Sequence, residues 1–274
     1  MKRSFLYASL IVLTLIPGGY ATADIDKGLV VYFTFDNVLG KRIFDESGNG
    51  LDAEVVKDTK FVEGKYGNAI YIAGETEDCV NIPAAKALEI SEEITMMAWV
   101  YHEDWTGSSS QWFDKGSYSR RSNYGMAIHD ERDEPDLAVF DKGSGISLIL
   151  GSDNVQNFII TQNSMENRTW HHIVGTYEGF TARIYLDGES VFELDLRDPF
   201  NFNGTNDEDL RIGCAKNKPE YAFEDGSIDE VAFWNRALSE IEIRTAMRGP
   251  LFAVSPKDKI ATTWGNIKRK ALQP

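Results

Sequence analysis

An all-β, two-sheet antiparallel sandwich with one short helix near the C-terminal end is the fold class this sequence predicts, and three observations predict it. Short apolar-alternating segments bounded by Gly, Asn and Asp recur from Leu29 to Trp234, and such runs, rich in β-branched and aromatic residues, read as half-buried strands. Glu178-Gly179 and Asp187-Gly188 sit between alternating runs, where a tight hairpin needs positive φ. Ser239 with Glu242 three residues later forms a capping box ahead of Ile241, Ile243 and Ala246, and Gly249-Pro250 follows; these are the start and stop of a single helix. Many short strands in a chain of this length close into one large all-β domain.

The elements follow in chain order. Met1, Lys2 and Arg3, the apolar run from Ser4 to Ile16, the break at Pro17-Gly18-Gly19 and the small residues Ala21-Thr22-Ala23 form a signal-peptide pattern over residues 1–23, with the mature chain starting at Asp24. The run is shorter than the roughly 20 apolar residues that span a bilayer. No transmembrane anchor is therefore expected after cleavage, and no Cys follows to carry a lipid. The chain holds 28 basic and 43 acidic residues; the leader takes two bases and no acid, leaving 26 against 43 and a net charge of −17. That sign opposes phosphate-backbone binding and excludes nucleic acid as a partner. The same acidity serves solubility and supplies hard oxygen ligands for a cation.

Strands are predicted near 29–35, 68–73, 78–82, 94–102, 110–115, 124–129, 136–140, 146–150, 170–178, 181–187, 190–196, 209–214 and 226–234. The two marked turns make 170–196 a three-stranded antiparallel sheet. Ile184 and Leu186 share one of its faces and Arg183, Tyr185 and Asp187 the other, the pattern of a sheet packed on one side only. Cys79 and Cys214 are the two cysteines, and an even pair in an exported chain invites a disulfide. Strand alternation turns Cys79 outward and Cys214 inward. A β-bulge at Gly213 would reverse that parity, so the sequence leaves the pairing open. The single domain runs over 24–250. Beyond it, 251–274 is a basic tail with Lys257, Lys259, Lys268, Arg269 and Lys270 against Asp258. It reads either as a segment lying back on the sandwich through Leu251, Phe252, Ile260 and Trp264 or as an attachment or sorting element.

Several strings recur in a recognisable order. They are Leu29-Val30-Val31-Tyr32-Phe33-Thr34-Phe35-Asp36, then Asp45-Glu46-Ser47-Gly48-Asn49-Gly50 and Gly64-Lys65-Tyr66-Gly67-Asn68-Ala69-Ile70. Ile94-Thr95-Met96-Met97-Ala98-Trp99-Val100, Asp114-Lys115-Gly116 and Trp170-His171-His172-Ile173-Val174-Gly175-Thr176-Tyr177-Glu178-Gly179 come next. Ile184-Tyr185-Leu186-Asp187-Gly188-Glu189 and Gly226-Ser227-Ile228-Asp229-Glu230-Val231 close the set. Together they resemble the laminin-G-like jelly rolls of the concanavalin A-like lectin and glucanase class, of the type found in bacterial exported proteins. The resemblance implies a jelly-roll β-sandwich, secreted or displayed at the cell surface, whose partner is an extracellular glycan or protein. It fixes fold better than function. It further implies a structural calcium on the sandwich rim, with Asp36, Asn37, Asp45 and Asp229 as its ligands.

The chemistry legible in the residues is limited. Asp45-x-Ser47-x-Asn49-Gly50 opens like a calcium-binding EF-hand loop, but position twelve is Val56 rather than Glu, so the reading is a tight Asx turn. Glu193-x-Asp195-x-x-Asp198 spaces carboxylates on one strand face as a glycan-cleaving enzyme would, yet Pro199 follows at once and a solvated strand face accounts for the acids. His171 and His172 project to opposite faces and cannot ligate one metal together. The sequence holds no nucleophile elbow, zinc-binding helix or phosphate loop. For ligand binding, residues 102–135 stand out, because Trp105, Trp112, Tyr118 and Tyr124 lie among Ser, Gly, Arg and Asp. Aromatic faces beside polar groups suit sugar rings. Trp112 and Tyr124 are read as core residues, and Trp105, Tyr118, Arg120 and Asn123 as the ligand contacts. The resulting expectation is a secreted, non-enzymatic binding or adhesion module; the alternatives are a glycoside hydrolase on the same fold and a purely structural surface component.

Overall fold

The computed structural model describes residues 24–73, 78–104, 110–116, 124–129, 145–151, 156–161, 165–196, 202–203, 205–215, 223 and 225–252. The leader, the tail from 253 onward and the strand expected at 136–140 lie outside them. In chain order the strands are β1 (Leu29–Phe33), β2 (Val38–Leu39), β3 (Arg42–Ile43), β4 (Ala53–Val56), β5 (Lys60–Glu63), β6 (Asn68–Ile72), β7 (Cys79–Ile82), β8 (Ile94–His102) and β9 (Ser110–Lys115). They continue with β10 (Tyr124–His129), β11 (Gly145–Gly151), β12 (Gln156–Thr161), β13 (His171–Glu178), β14 (Thr181–Leu186), β15 (Glu189–Asp195), β16 (Leu210–Ile212) and β17 (Gly226–Trp234), followed by helix α1 (Glu240–Ala246).

Two antiparallel sheets result. One is ordered β15-β14-β13-β8-β17-β6-β5, with β1 also on β17; the other is ordered β12-β11-β10-β9-β16-β7-β4-β3-β2. Their inner faces share one core. Phe233 from the first sheet meets Phe113 and Tyr124 from the second, with ring centroids 5.1 and 6.1 Å apart. Trp112 and Tyr124 are fully buried in that core, as expected from their strand context. The predicted two-sheet sandwich is thus the observed architecture.

The hairpins over 171–195 also form as expected, with Asp187 and Gly188 both at positive φ (51° and 82°) in the turn between β14 and β15. One detail differs. The outer face of this sheet is not simply solvated: Tyr185, Met97, Val174, Ala232 and Trp234 form a second apolar cluster beneath α1, joined by Ile25, Leu251 and Phe252. The capping box at Ser239 and Glu242 is present, worth about 1 kcal/mol. Ile243 and Ala246 face the cluster, but Ile241 points out at 73% exposure.

Cys79 and Cys214 form a disulfide, with Cα atoms 5.6 Å apart. Strict alternation fails after Ile212 because Gly213 takes φ +82°, a conformation glycine alone adopts freely. That twist brings Cys214 to the side on which Cys79 stands. The bridge crosses between the end of β7 and the residues after β16, which pair in register at Val80 and Ile212.

Candidate functional site

Trp105, Tyr118, Arg120 and Asn123 all lie outside the described residues. The strands they connect are described. The segment holding Trp105 enters β9 at Ser110, whereas the segment holding the other three leaves β9 at Lys115 and rejoins at Tyr124. The two segments therefore attach at opposite ends of one strand.

Between those ends runs the outer face of the nine-stranded sheet. A bulge on β9 sets Met126 against Phe113 but Ala127 against Gln111. Trp112 is thereby the extra residue, and Gln111 faces away from the core. Register then aligns Gln111, Ala127, Ser147 and Ile160 across β9, β10, β11 and β12. A second row aligns Asn81, Arg211, Asp114, Gly125 and Ile149 across β7, β16, β9, β10 and β11. Asp209 braces one end, accepting from Asn81 Nδ2 at 3.0 Å and from the Ala84 amide at 2.8 Å.

Gln111, Asp114, Ser147, Ile149 and Ile160 are buried although they point away from the shared interior. Two polar atoms on this face, Gln111 Oε1 and Ser147 Oγ, have no hydrogen-bond partner among the described residues. They stand two strands apart, about 9.5 Å. Buried polar atoms are nearly always paired, and leaving one unpaired costs about 1–3 kcal/mol. The sequence signal was faint: a polar residue at an outward position of an otherwise apolar run, Ile146-Ser147-Leu148-Ile149-Leu150.

At the rim, Lys115 turns inward and is completely buried. Its ammonium donates to the Asn206 carbonyl at 3.1 Å, the Glu208 carbonyl at 2.6 Å and Asn206 Oδ1. Burial pushes its pKa down to about 8, against the pull of Glu89, Glu208, Asp209 and Asp207. The unfolded chain keeps that proton up to the ordinary lysine range, so from about pH 8 upward the unfolded state binds more protons and stability rises with pH. Urea midpoints taken upward from pH 8, below the onset of tyrosine ionisation, are expected to climb, and Lys115→Met to flatten the climb.

Of the four expected calcium ligands, only Asp36 and Asp229 are brought together. Asp45 belongs to its own turn: its carboxylate accepts from the amides of Tyr32, Ser47 and Leu51 at 2.9–3.1 Å and from Ser47 Oγ at 2.8 Å. Asn49 completes that turn by donating to the Leu29 and Val30 carbonyls. Asn37 is exposed and its carbonyl takes the Phe44 amide. Asp36 and Asp229 do come to one place, the turn between β5 and β6, where Asp36 accepts from the Asn68 amide and side chain and Asp229 from the Tyr66 amide, all at 2.8–2.9 Å.

Beside Asp229 lies Glu230, a residue sequence reading did not single out. It sits at φ +52° where β17 changes partner from β6 to β1. One of its oxygens pairs with the Tyr32 hydroxyl, which also accepts from the Leu251 amide at 3.0 Å; the other, Oε1, is buried and has no partner among the described residues. Burial first, then neighbouring carboxylates, raise Asp229 to about 7 and Glu230 to about 8. Among the described residues, no group of three or more His, Cys, Asp or Glu side chains is gathered so as to hold a metal ion.

The remaining candidates are structural. His171 Nδ1 meets Asp187 Oδ2 at 2.9 Å and its Nε2 accepts from the Glu166 amide at 3.0 Å, so both ring nitrogens are occupied. His172, on the opposite face, packs 5.2 Å from Trp99, and burial lowers its pKa to about 3. Glu193 and Asp195 lie on the edge strand β15, where Arg183 Nε binds Glu193 at 2.8 Å. Asp198 lies outside the described residues.

A sequence profile described as the concanavalin A-like lectin/glucanases superfamily matches residues 74–244, well over half of the chain. No curated protein matches the sequence. Among solved structures, the fold is similar to the binding domain of Paraclostridial Mosquitocidal Protein 1, with a TM-score of 0.63 and 15% identity over 81% of this chain and 52% of that one. Domain 4 of AbnA, a GH43 extracellular arabinanase from Geobacillus stearothermophilus solved with arabinotriose, gives a TM-score of 0.59 and 18% identity over 80% and 98%. Trypanosoma rangeli sialidase with 2,3-difluorosialic acid gives 0.57 and 18% over 81% and 32%. The chain thus spans about half the length of the first of these and a third of the last. Identities at this level establish a shared fold alone.

Proposed function

Because the chain belongs to the concanavalin A-like lectin/glucanases superfamily, we propose that it is an exported, non-catalytic module that binds an extracellular glycan. The observation that carries the reading is the pair of buried, unpartnered polar atoms, Gln111 Oε1 and Ser147 Oγ, on the outer face of the nine-stranded sheet. Both atoms are closed to solvent, so a sugar that displaced what covers this face would satisfy them with its hydroxyls, and Asn81 and Arg211 extend the same face with further polar groups. To Trp105, Tyr118, Arg120 and Asn123, whose segments join β9 at its two ends in the chain, we assign the ring faces and further hydrogen bonds of the site. An arabinotriose-bound domain with this fold supports a sugar as ligand.

Export is supported by the leader pattern and by the Cys79–Cys214 bridge, since disulfides persist in oxidising compartments. No helix among the described residues is long and apolar enough to cross a membrane. The non-catalytic reading is supported by the placement of Glu193 and Asp195 on an edge strand, with Glu193 neutralised by Arg183.

Ser147→Ala tests the site through two readouts that move in opposite directions. Removing an unsatisfied hydroxyl is expected to raise the melting temperature, because its burial is uncompensated. Glycan affinity is expected to fall about fivefold, the value of one neutral hydrogen bond. A glycan-array signal unchanged in Ser147→Ala and in Trp105→Ala would show that the ligand binds elsewhere.

A structural calcium is a separate proposal, resting on Asp36 and Asp229 flanking one turn and on the unpartnered Glu230 Oε1. A bound cation there would hold the crowded carboxylates ionised. The melting temperature is then higher in calcium than in chelator, and Asp229→Asn abolishes the difference. Equal melting in both buffers removes the proposal.

A further inference from the structure

Helix α1 covers only part of the outer face of the other sheet. The uncovered part carries a row of rings fixed by register: Tyr71 on β6 pairs with Ser227 on β17, and Ser227 pairs with Tyr101 on β8. Trp170, immediately ahead of β13, completes the row, its ring 5.6 Å from that of Tyr101. All three rings are half-buried. The next row inward is already closed, because Lys65 lies 4.1 Å over the Trp99 ring and Tyr66 meets its edge. Tyr71 and Tyr101 stand two strands apart, about 9.5 Å.

Hydrogen-bonding groups border this row. Tyr71 donates to Asp225 at 3.2 Å and Tyr101 to Glu103 at 3.4 Å; Arg168 binds Glu103 at 2.9 Å and Asn167 binds Asp104 at 3.1 Å. The three acids are exposed and can accept from hydroxyls. They repel carboxylates, and Arg168, the one guanidinium at this border among the described residues, is held by Glu103. The charge complement is therefore a neutral chain rich in hydroxyls. Ring planes of Tyr101 and Trp170 differ by 49°. Rings so tilted cannot lie together under a flat crystalline surface, but they can each meet a sugar of a single chain that twists along its length.

We propose that Tyr71, Tyr101 and Trp170 form a second glycan-binding surface, on the face opposite the Gln111–Ser147 site, that takes a single soluble neutral polysaccharide chain. It rests on the reading of the protein as a glycan-binding module but not on the position of the first site. Two surfaces on opposite faces would make the domain bivalent, able to hold two chains or to gain avidity on one matrix.

Affinity electrophoresis of the oxidised protein against soluble arabinan, xylan, galactomannan and dextran, with polygalacturonate and crystalline cellulose as contrasts, tests the surface. Tyr101→Ala and Trp170→Ala are each expected to weaken binding to a neutral soluble polymer about tenfold, while Tyr101→Phe retains it. Should Trp170→Ala fail to fold, Tyr71→Ala decides in its place. Strip variants that bind like the parent, while Ser147→Ala binds more weakly, overturn this surface and leave the first site standing. A parent that binds none of the neutral polymers overturns both. Ring-dependent binding that favours polygalacturonate or cellulose overturns the assigned ligand class. A parent dimer by sedimentation that becomes a monomer in Tyr101→Ala would make the strip an interface between copies, and also overturns the proposal.

Discussion

Replacing Cys79 and Cys214 together by serine is expected to lower the unfolding free energy by about 2–5 kcal/mol. The bridge joins residues 135 apart in sequence, half of the chain, so it removes much of the conformational freedom of the unfolded ensemble; a chain-entropy estimate for so long a loop falls near the upper end of that range. The native state loses little when the sulfurs go, because Val80 and Ile212 beside them stay paired and buried. The urea midpoint should therefore drop, with reduced parent protein and the double serine variant behaving alike. The same variants should accumulate poorly at 37 °C even in an oxidising compartment, since a loss of this size is a large fraction of a domain's total stability. Coincident urea curves for oxidised parent and double variant would show that the bridge contributes nothing.

Phe233→Ala is expected to cost about 3–5 kcal/mol. Phe233 is completely buried, and its ring sits against Phe113 and Tyr124 of the opposite sheet. Truncation opens a cavity at the seam between the layers, where strands held by hydrogen bonds on both sides cannot collapse inward to fill it. Ile241→Ala, on the exposed side of α1, is the control and should stay within about 0.5 kcal/mol. Equal effects from the two substitutions would mean that the sheets do not share the interior described.

The layers themselves were legible in the sequence because period-two alternation is a direct record of which side of a strand is buried. Tyr124 and Trp112 were placed in the core on that basis, and the hairpin at Asp187-Gly188 on the φ its turn demands. What escaped was short or context-dependent. β2 and β3 have two residues each, too few to show a period. The capping box marked where α1 starts but not which of its apolar residues meet the sheet: Ile243 and Ala246 do, and Ile241 is exposed. Tyr185 looked solvated, since no local pattern tells that a helix more than 50 residues later in the chain will cover it.

The candidate sites divide along the same line. Asp36 and Asp229 are distant in sequence, and their grouping followed only from the resemblance, not from spacing; the resemblance drew Asp45 into the same set, while its oxygens are taken by amides of its own turn, as the Asx-turn reading of that segment expects. Ser147 and Gln111 were passed over because nothing local marks a hydroxyl or a carboxamide as unpaired. That property belongs to the packed sheet and appears only when every neighbour across β9, β10 and β11 has been placed.

Solving the structure of the oxidised protein soaked with arabinotriose, or with the best ligand from a glycan array, tests the central claim most directly. A sugar lying over β9 to β11 on the outer face of the nine-stranded sheet, intact, with hydroxyls within hydrogen-bond distance of Gln111 Oε1 and Ser147 Oγ, is the predicted result. Cleaved sugar, or density for the ligand only away from that face while those two atoms are met by protein groups, would contradict it.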